Sequence, residues 1–161
     1  MDHPVTPAIR VLRQHAVALQ PHFYEYVERG GTLRSSIELG VDEHCVIKTL
    51  VFETEDELPL IVLMHGDRQV SAKKLARHLG VKSVAPCKPE VAEKWTGYHV
   101  GGTSPFGTRS QLPVYVERTI LVLERIWING GKRGFLVSID PQVLVDVLAP
   151  EPVSVALDRS A

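Results

Sequence analysis

Four places in this sequence carry residue types that do chemistry. Lys48 stands in Val46-Ile47-Lys48-Thr49-Leu50-Val51-Phe52, where strand alternation puts it on one face with Val46, Leu50 and Phe52. An ammonium there either snorkels to a sheet edge or projects into a cleft to meet an anion, and the pattern alone leaves both open. The stretch Gly97-Tyr98-His99-Val100-Gly101-Gly102-Thr103-Ser104-Pro105-Phe106-Gly107 holds four glycines in eleven residues. It is either a plain connector or a loop whose N–H groups approach a phosphate or a polarised carbonyl. Two familiar motifs fail here. Thr108 stands where a phosphate-binding loop needs its lysine, and the spacing around Ser104 is one residue too long for a nucleophile elbow. Pro105 also removes the usual oxyanion donor, so Ser104 reads as a loop-organising hydroxyl.

The third place, Gly130-Gly131-Lys132-Arg133-Gly134, reads first as a hairpin tip with solvated charges and second as a phosphate cradle. The fourth is a basic cluster, Lys73, Lys74, Arg77 and His78, on one predicted helix; it is a solvated face or a track for a phosphate backbone. Seven histidines show no H-E-x-x-H and no close helical pair, and His65-Gly66-Asp67 lacks identifiable partners. No metal and no organic cofactor is expected.

These residues need elements to hold them, and the signals alternate between helix and strand. Helices are predicted over Pro7 to His15, from a Thr32 or Ser35 cap to Gly40, from Ser71 to Leu79, over Pro89 to Trp95, and after the Asp140-Pro141 start. Extended segments are predicted over His22 to Val27, Cys45 to Glu53, Leu58 to His65, around Val84, over Val114 to Glu117 and over Val153 to Leu157. Arg125 to Ile128 and Gly134 to Ile139 read as a hairpin turning at Asn129-Gly130-Gly131. The fold class is mixed α/β, of the α+β kind, on a mixed rather than purely parallel sheet.

Composition narrows the class further. The chain has 161 residues, a formal charge of -1, 44% hydrophobic and 23% charged residues. That is one globular domain over residues 1–161 with room for a real core. Near-neutrality argues against a protein that coats nucleic acid broadly, while leaving local basic patches open. No run approaches a membrane span, and the first residues lack a signal peptide's basic start and apolar stretch. Cys45 and Cys87 are far apart, so a reducing cytoplasm is the expected setting.

Taken together, Val46-Ile47-Lys48-Thr49-Leu50, the Lys73-Lys74 helix, Gly97 to Gly107 and Gly130 to Gly134 resemble the YbaK/EbsC family of aminoacyl-tRNA deacylases, relatives of the prolyl-tRNA synthetase editing domain. The likeness runs from Thr6 to the last predicted strand. It implies a mixed, partly barrel-like sheet surrounded by helices, with the active site beside the glycine loop. It implies removal, in trans, of a wrong amino acid from the 3′ acceptor end of tRNA. Such a step is needed because small apolar differences give a synthetase pocket only about 1–3 kcal/mol of discrimination.

Carried over residue by residue, the likeness gives Lys48 the terminal adenosine and its phosphate. It gives Gly101 and Gly102 the ester carbonyl, and Tyr24 the ribose side of the pocket. Thr103, Ser104 and Asn129 are expected against the substrate, and Lys73, Lys74, Arg77, Lys132 and Arg133 against tRNA phosphates. Cys-tRNA(Pro) leads as substrate, with alanyl- or seryl-tRNA as alternatives. Asn129 replaces the serine of some members and so bears on that choice. A noncatalytic tRNA- or synthetase-binding module is the competing class, and prolyl-tRNA synthetase is the first candidate partner.

Overall fold

The computed structural model describes residues 2–158. Its centre is the antiparallel pair β2 (Val46–Thr54) and β3 (Pro59–His65). Because both faces of the sheet are covered, β3 is apolar almost throughout: Ile61 and Leu63 enter one core, and Leu60, Val62 and Met64 the other. α1 (Pro7–Gln14) covers the first core with Ala8, Ile9 and Leu12. Burying Ile9 and Leu12 contributes about 1.5–3 kcal/mol each. Thr6 starts this helix by accepting the Ile9 N–H at 3.1 Å. α3 (Ala72–Leu79) covers the second core with Leu75 and Ala76, between the expected Ser71 cap and a left-handed Gly80.

The remaining strands are β1 (Gln20–Phe23), β4 (Val84–Pro86), β5 (Val114–Glu117), β6 (Ile126–Lys132), β7 (Phe135–Ile139) and β8 (Glu151–Val153). They run in the order β1-β7-β6-β2-β3-β5-β8, with β4 beside β2. The β2–β6, β3–β5 and β5–β8 pairs are parallel and the others antiparallel, so the sheet is mixed as expected. Among the described residues β1 and β8 do not pair with each other, which leaves the sheet open.

One irregularity matters for function. On the edge away from β3, β2 pairs with β6 only at Val46 and Ile47, and with β4 only from Phe52 to Thr54. The Cys87 N–H extends the second contact by donating to the Val51 carbonyl at 2.9 Å, so Lys48 to Leu50 face a gap where two strands part. The gap is the floor of a cavity.

Four local expectations change. α2 (Gly31–Leu39) starts at Gly30 without a side-chain cap. Thr32 is drawn away, donating to Glu43 Oε2 (2.7 Å) and the Gly66 carbonyl (3.1 Å), while Ser35 donates back to the Thr32 carbonyl. The β6–β7 turn falls at Arg133-Gly134, not at Asn129-Gly130-Gly131. Gly130 instead lies inside β6, where a Cβ would come within 2.5 Å of the Phe135 ring. β1 ends at Phe23, and beyond it Tyr24, Tyr26 and Val27 wall the cavity. The last strand is Glu151–Val153, earlier than expected, because its ladder partners are Tyr115 to Glu117.

Candidate functional site

The cavity over the gap in β2 holds about 520 Å³. Its floor is Val46 to Phe52, its walls are Tyr24, Tyr26, Thr32 and Ser35, and the glycine loop closes it with Val100, Gly101 and Thr103. Asn129 and Leu136 complete the far side. The structure therefore brings Lys48, Tyr24, Gly101, Thr103 and Asn129 together from four separate stretches of chain. Gly102, Ser104, Lys73, Lys74, Arg77, Lys132 and Arg133 stand outside the lining.

Lys48 shares its face with Leu50 and Phe52, as alternation requires, and is half-buried. Its ammonium donates to the Arg68 carbonyl. Burial pushes its pKa below the usual lysine range, against the opposing pull of the Glu43 and Asp67 carboxylates. A partly desolvated cation with one backbone partner keeps donors for an anion.

The glycine loop is pinned from both ends. Gly101 has φ +90°, and a Cβ on it would come within 2.7 Å of Tyr26, so only glycine lets the loop lie against that ring. Asn129 Nδ2 donates to the Gly101 carbonyl at 3.1 Å, while its Oδ1 accepts the Gly131 and Lys132 N–H groups at 2.6 and 3.1 Å. Asn129 lines the cavity with its carboxamide engaged at both ends, and so it acts on the loop. Arg133 adds a second tie: its Nε donates to the Val100 carbonyl at 2.8 Å, and its guanidinium lies 4.9 Å from the Tyr26 ring centroid.

Two sequence expectations are corrected here. Gly102 presents no N–H to the cavity, because that N–H donates to the His99 carbonyl at 2.8 Å. Its value is close packing, since a Cβ would meet the Arg133 backbone nitrogen at 2.7 Å. Ser104 is fully buried, and its hydroxyl accepts the Phe106 N–H at 3.1 Å. It organises the loop and does not reach the cavity. The α3 cluster faces solvent: Lys74 is held by Asp158 (2.8 Å) and the Ala156 carbonyl (3.1 Å), and Lys73 and Arg77 are exposed.

Other cavity residues were not singled out from the sequence. Tyr26 carries a signal, since it follows Tyr24 at period two. Arg29, Gln69 and Cys87 carry none. Among the described lining residues there is no Asp, Glu or His, whereas Lys48, Arg29 and Arg34 supply positive charge. Burial and the nearby Glu53 carboxylate push the Cys87 thiol up to about 11, which keeps it protonated and a poor nucleophile.

The partner missing for His65-Gly66-Asp67 is His44. Ligand atoms of His44, His65 and Asp67 lie within 4.8 Å of one another. The group nonetheless fits a metal poorly. The two imidazoles stack in parallel, 3.7 Å apart, so their in-plane lone pairs do not converge. His65 also spends Nδ1 on the His44 carbonyl (2.7 Å) and Nε2 on Thr119 (2.6 Å), and His44 Nδ1 pairs with Asp67 at 2.8 Å. Burial lowers the His65 pKa, which keeps the ring neutral with Nδ1 as donor.

Residues 35–147 match the family described as the aminoacyl-tRNA editing domain. A protein of Enterococcus faecalis, provisionally named Cys-tRNA(Pro)/Cys-tRNA(Cys) deacylase EbsC, is 29% identical over 143 residues, covering 88% of this chain and 87% of its own. A proline–tRNA ligase of Nitratidesulfovibrio vulgaris is 36% identical over 96 residues, which is 60% of this chain but 16% of the ligase. A solved structure provisionally described as a trans-editing enzyme for prolyl tRNA synthetase superposes with a TM-score of 0.81 at 21% identity, covering 96% of this chain and all of its own. A second, described as a hypothetical protein, gives 0.85 at 19% identity over 94% of this chain and 99% of its own. At those identities the structural likeness speaks to the fold. Among the described residues no helix is long and apolar enough to cross a membrane.

Proposed function

The chain belongs to the aminoacyl-tRNA editing domain family, and we propose on that basis that it deacylates mischarged aminoacyl-tRNA in trans, with Cys-tRNA(Pro) as its leading substrate. The observation that carries this reading is the placement of Lys48 in the β2 gap, opposite a glycine loop that Tyr26 and Asn129 hold in place. The ammonium takes the phosphate of the terminal adenosine, and Tyr24 and Thr103 border the ribose and the ester. Gly101 brings backbone within reach of the carbonyl carbon. One editing unit, residues 1–161, does this in the cytoplasm, and prolyl-tRNA synthetase is the partner that would select the tRNA body.

The lining restricts the chemistry. With no Asp, Glu or His along the described walls, a protonated Cys87 and an enclosed Ser104, no cavity side chain stands ready as nucleophile or general base. The attacking group then comes with the substrate. For a cysteinyl ester, the substrate sulfur bonds to its own carbonyl carbon, the C–O bond to the ribose breaks, and the thiol proton passes to the departing 3′ oxygen. Free tRNA and a cyclic thioester leave. Holding sulfur and carbonyl in contact range is a positioning task, the kind of catalysis a preformed cavity supplies.

The test is deacylation of Cys-, Ala- and Ser-charged tRNA(Pro) by the wild type and by Lys48→Ala. Turnover of the cysteinyl ester that is lost in the variant and indifferent to chelator supports the reading. Failure to turn over any charged tRNA, or loss on chelation with recovery on adding metal, refutes it.

A further inference from the structure

Two arginines line the cavity and a third braces its wall from outside, and their commitments differ. Arg34 is held by Glu25 at 3.4 Å and Glu38 at 4.0 Å, so its charge is compensated. Arg133 is spent on the Val100 carbonyl and the Tyr26 ring. Arg29 lines the same cavity, is exposed, and makes no ion pair or side-chain hydrogen bond among the described residues.

Its backbone is unusual too. Arg29 has φ +64°, a left-handed conformation that disfavours a residue with a side chain and that glycine adopts freely. Gly30 and Gly31 follow it directly, yet the exposed, strained position carries a guanidinium. Such strain persists where the surroundings over-determine it, and it clusters at ligand-binding positions.

We propose that Arg29 is a positioning residue for the acceptor strand, binding the phosphodiester that lies outward of the one Lys48 takes. This rests on the tRNA reading of the cavity and extends it: Lys48 fixes the terminal nucleotide from the floor, and Arg29 fixes its neighbour at the rim. A guanidinium suits the outer place, because its planar fork grips two phosphate oxygens where water still competes. The chain's near-neutral total is compatible with this, since two cations on one path need no general positive field.

The test uses Arg29→Gly, which removes the side chain while leaving a residue suited to the observed φ, so loss of folding is not the expected outcome. Binding is followed by fluorescence anisotropy with two probes. One is a CCA trinucleotide carrying a stable 3′-alanyl amide; the other is the same amide on adenosine alone, without phosphates. Wild type should prefer the trinucleotide, and Arg29→Gly should cut that preference about tenfold and reduce the log–log salt slope by about 0.7, the value of one single-strand phosphate contact. The exposed Arg10, on α1 and away from the cavity, provides an Arg10→Ala control. An unchanged preference in Arg29→Gly, equal losses on both probes, or an equal loss in Arg10→Ala would overturn the proposal. Turnover is read separately. Arg29-dependent binding without deacylation supports this contact while refuting the deacylase reading.

Discussion

Replacing Lys48 by methionine should move activity and stability in opposite directions. Methionine keeps the length and the apolar stem and deletes only the charge. A charge-assisted contact to a phosphate contributes about 1.5–3 kcal/mol, and each 1.36 kcal/mol is tenfold, so kcat/KM on mischarged tRNA should fall roughly 10- to 150-fold. Folding responds differently. Burial lowers the Lys48 pKa in the folded state, so the folded protein holds the charged form less well than the unfolded chain does. That deficit is present at neutral pH and is relieved as pH rises through the folded-state pKa towards the ordinary lysine value. Lys48→Met removes it. The variant loses one hydrogen bond to the Arg68 carbonyl, worth about 1 kcal/mol, and water can take that partner's place. Urea denaturation should therefore find the variant as stable as wild type or more so at neutral pH, with its advantage shrinking in alkali. A loss of more than about 2 kcal/mol would make Lys48 a structural strut. Deacylation within about threefold of wild type would remove it from the site.

Other substitutions separate the parts of the site. Gly101→Ala places a methyl within 2.7 Å of Tyr26 at a φ of +90°; it should cost about 1–3 kcal/mol in thermal unfolding, and adding Tyr26→Ala should recover the steric part but not the backbone part. Ser104→Ala should lose about 1 kcal/mol of stability and keep deacylation within about twofold, whereas a loss above about 100-fold would reinstate a serine nucleophile. His65, neutral and buried, has a folded-state pKa below its unfolded value of 6.5. Wild-type stability should accordingly be intact above that pH and fall as pH drops towards the folded value, and His65→Gln should flatten that slope in pH-dependent unfolding curves.

Much of this protein was legible in one dimension because its signals are local. The Ser71 cap and the helix stops at Gly80 and Gly97 depend on one or two neighbouring groups, and the structure uses each as expected. The alternation around Lys48 likewise places it correctly, since a strand has only two faces. Local signals mislead where a residue has a distant partner. Thr32 failed as a cap because Glu43 and Gly66 offer its hydroxyl better partners, and the hairpin turn shifted because Gly130 is needed under the Phe135 ring.

Sequence by itself determined that Lys48 would sit on an apolar strand and that a glycine loop would follow the helix Pro89–Thr96. Whether that lysine would end at a sheet edge or in a cleft was a tertiary matter. The answer lies in β6 and β4 meeting one edge of β2 at opposite ends and leaving the middle of that edge open, a gap built from residues some eighty positions apart. Tertiary structure also divided the predicted site. It spent the Gly102 N–H and the Ser104 hydroxyl within the loop, turned Asn129 into the loop's tie, and left Arg29 uncommitted at the mouth. Hydrogen-bonding capacity is finite, and which group retains some for a ligand is decided only once every other partner is in place.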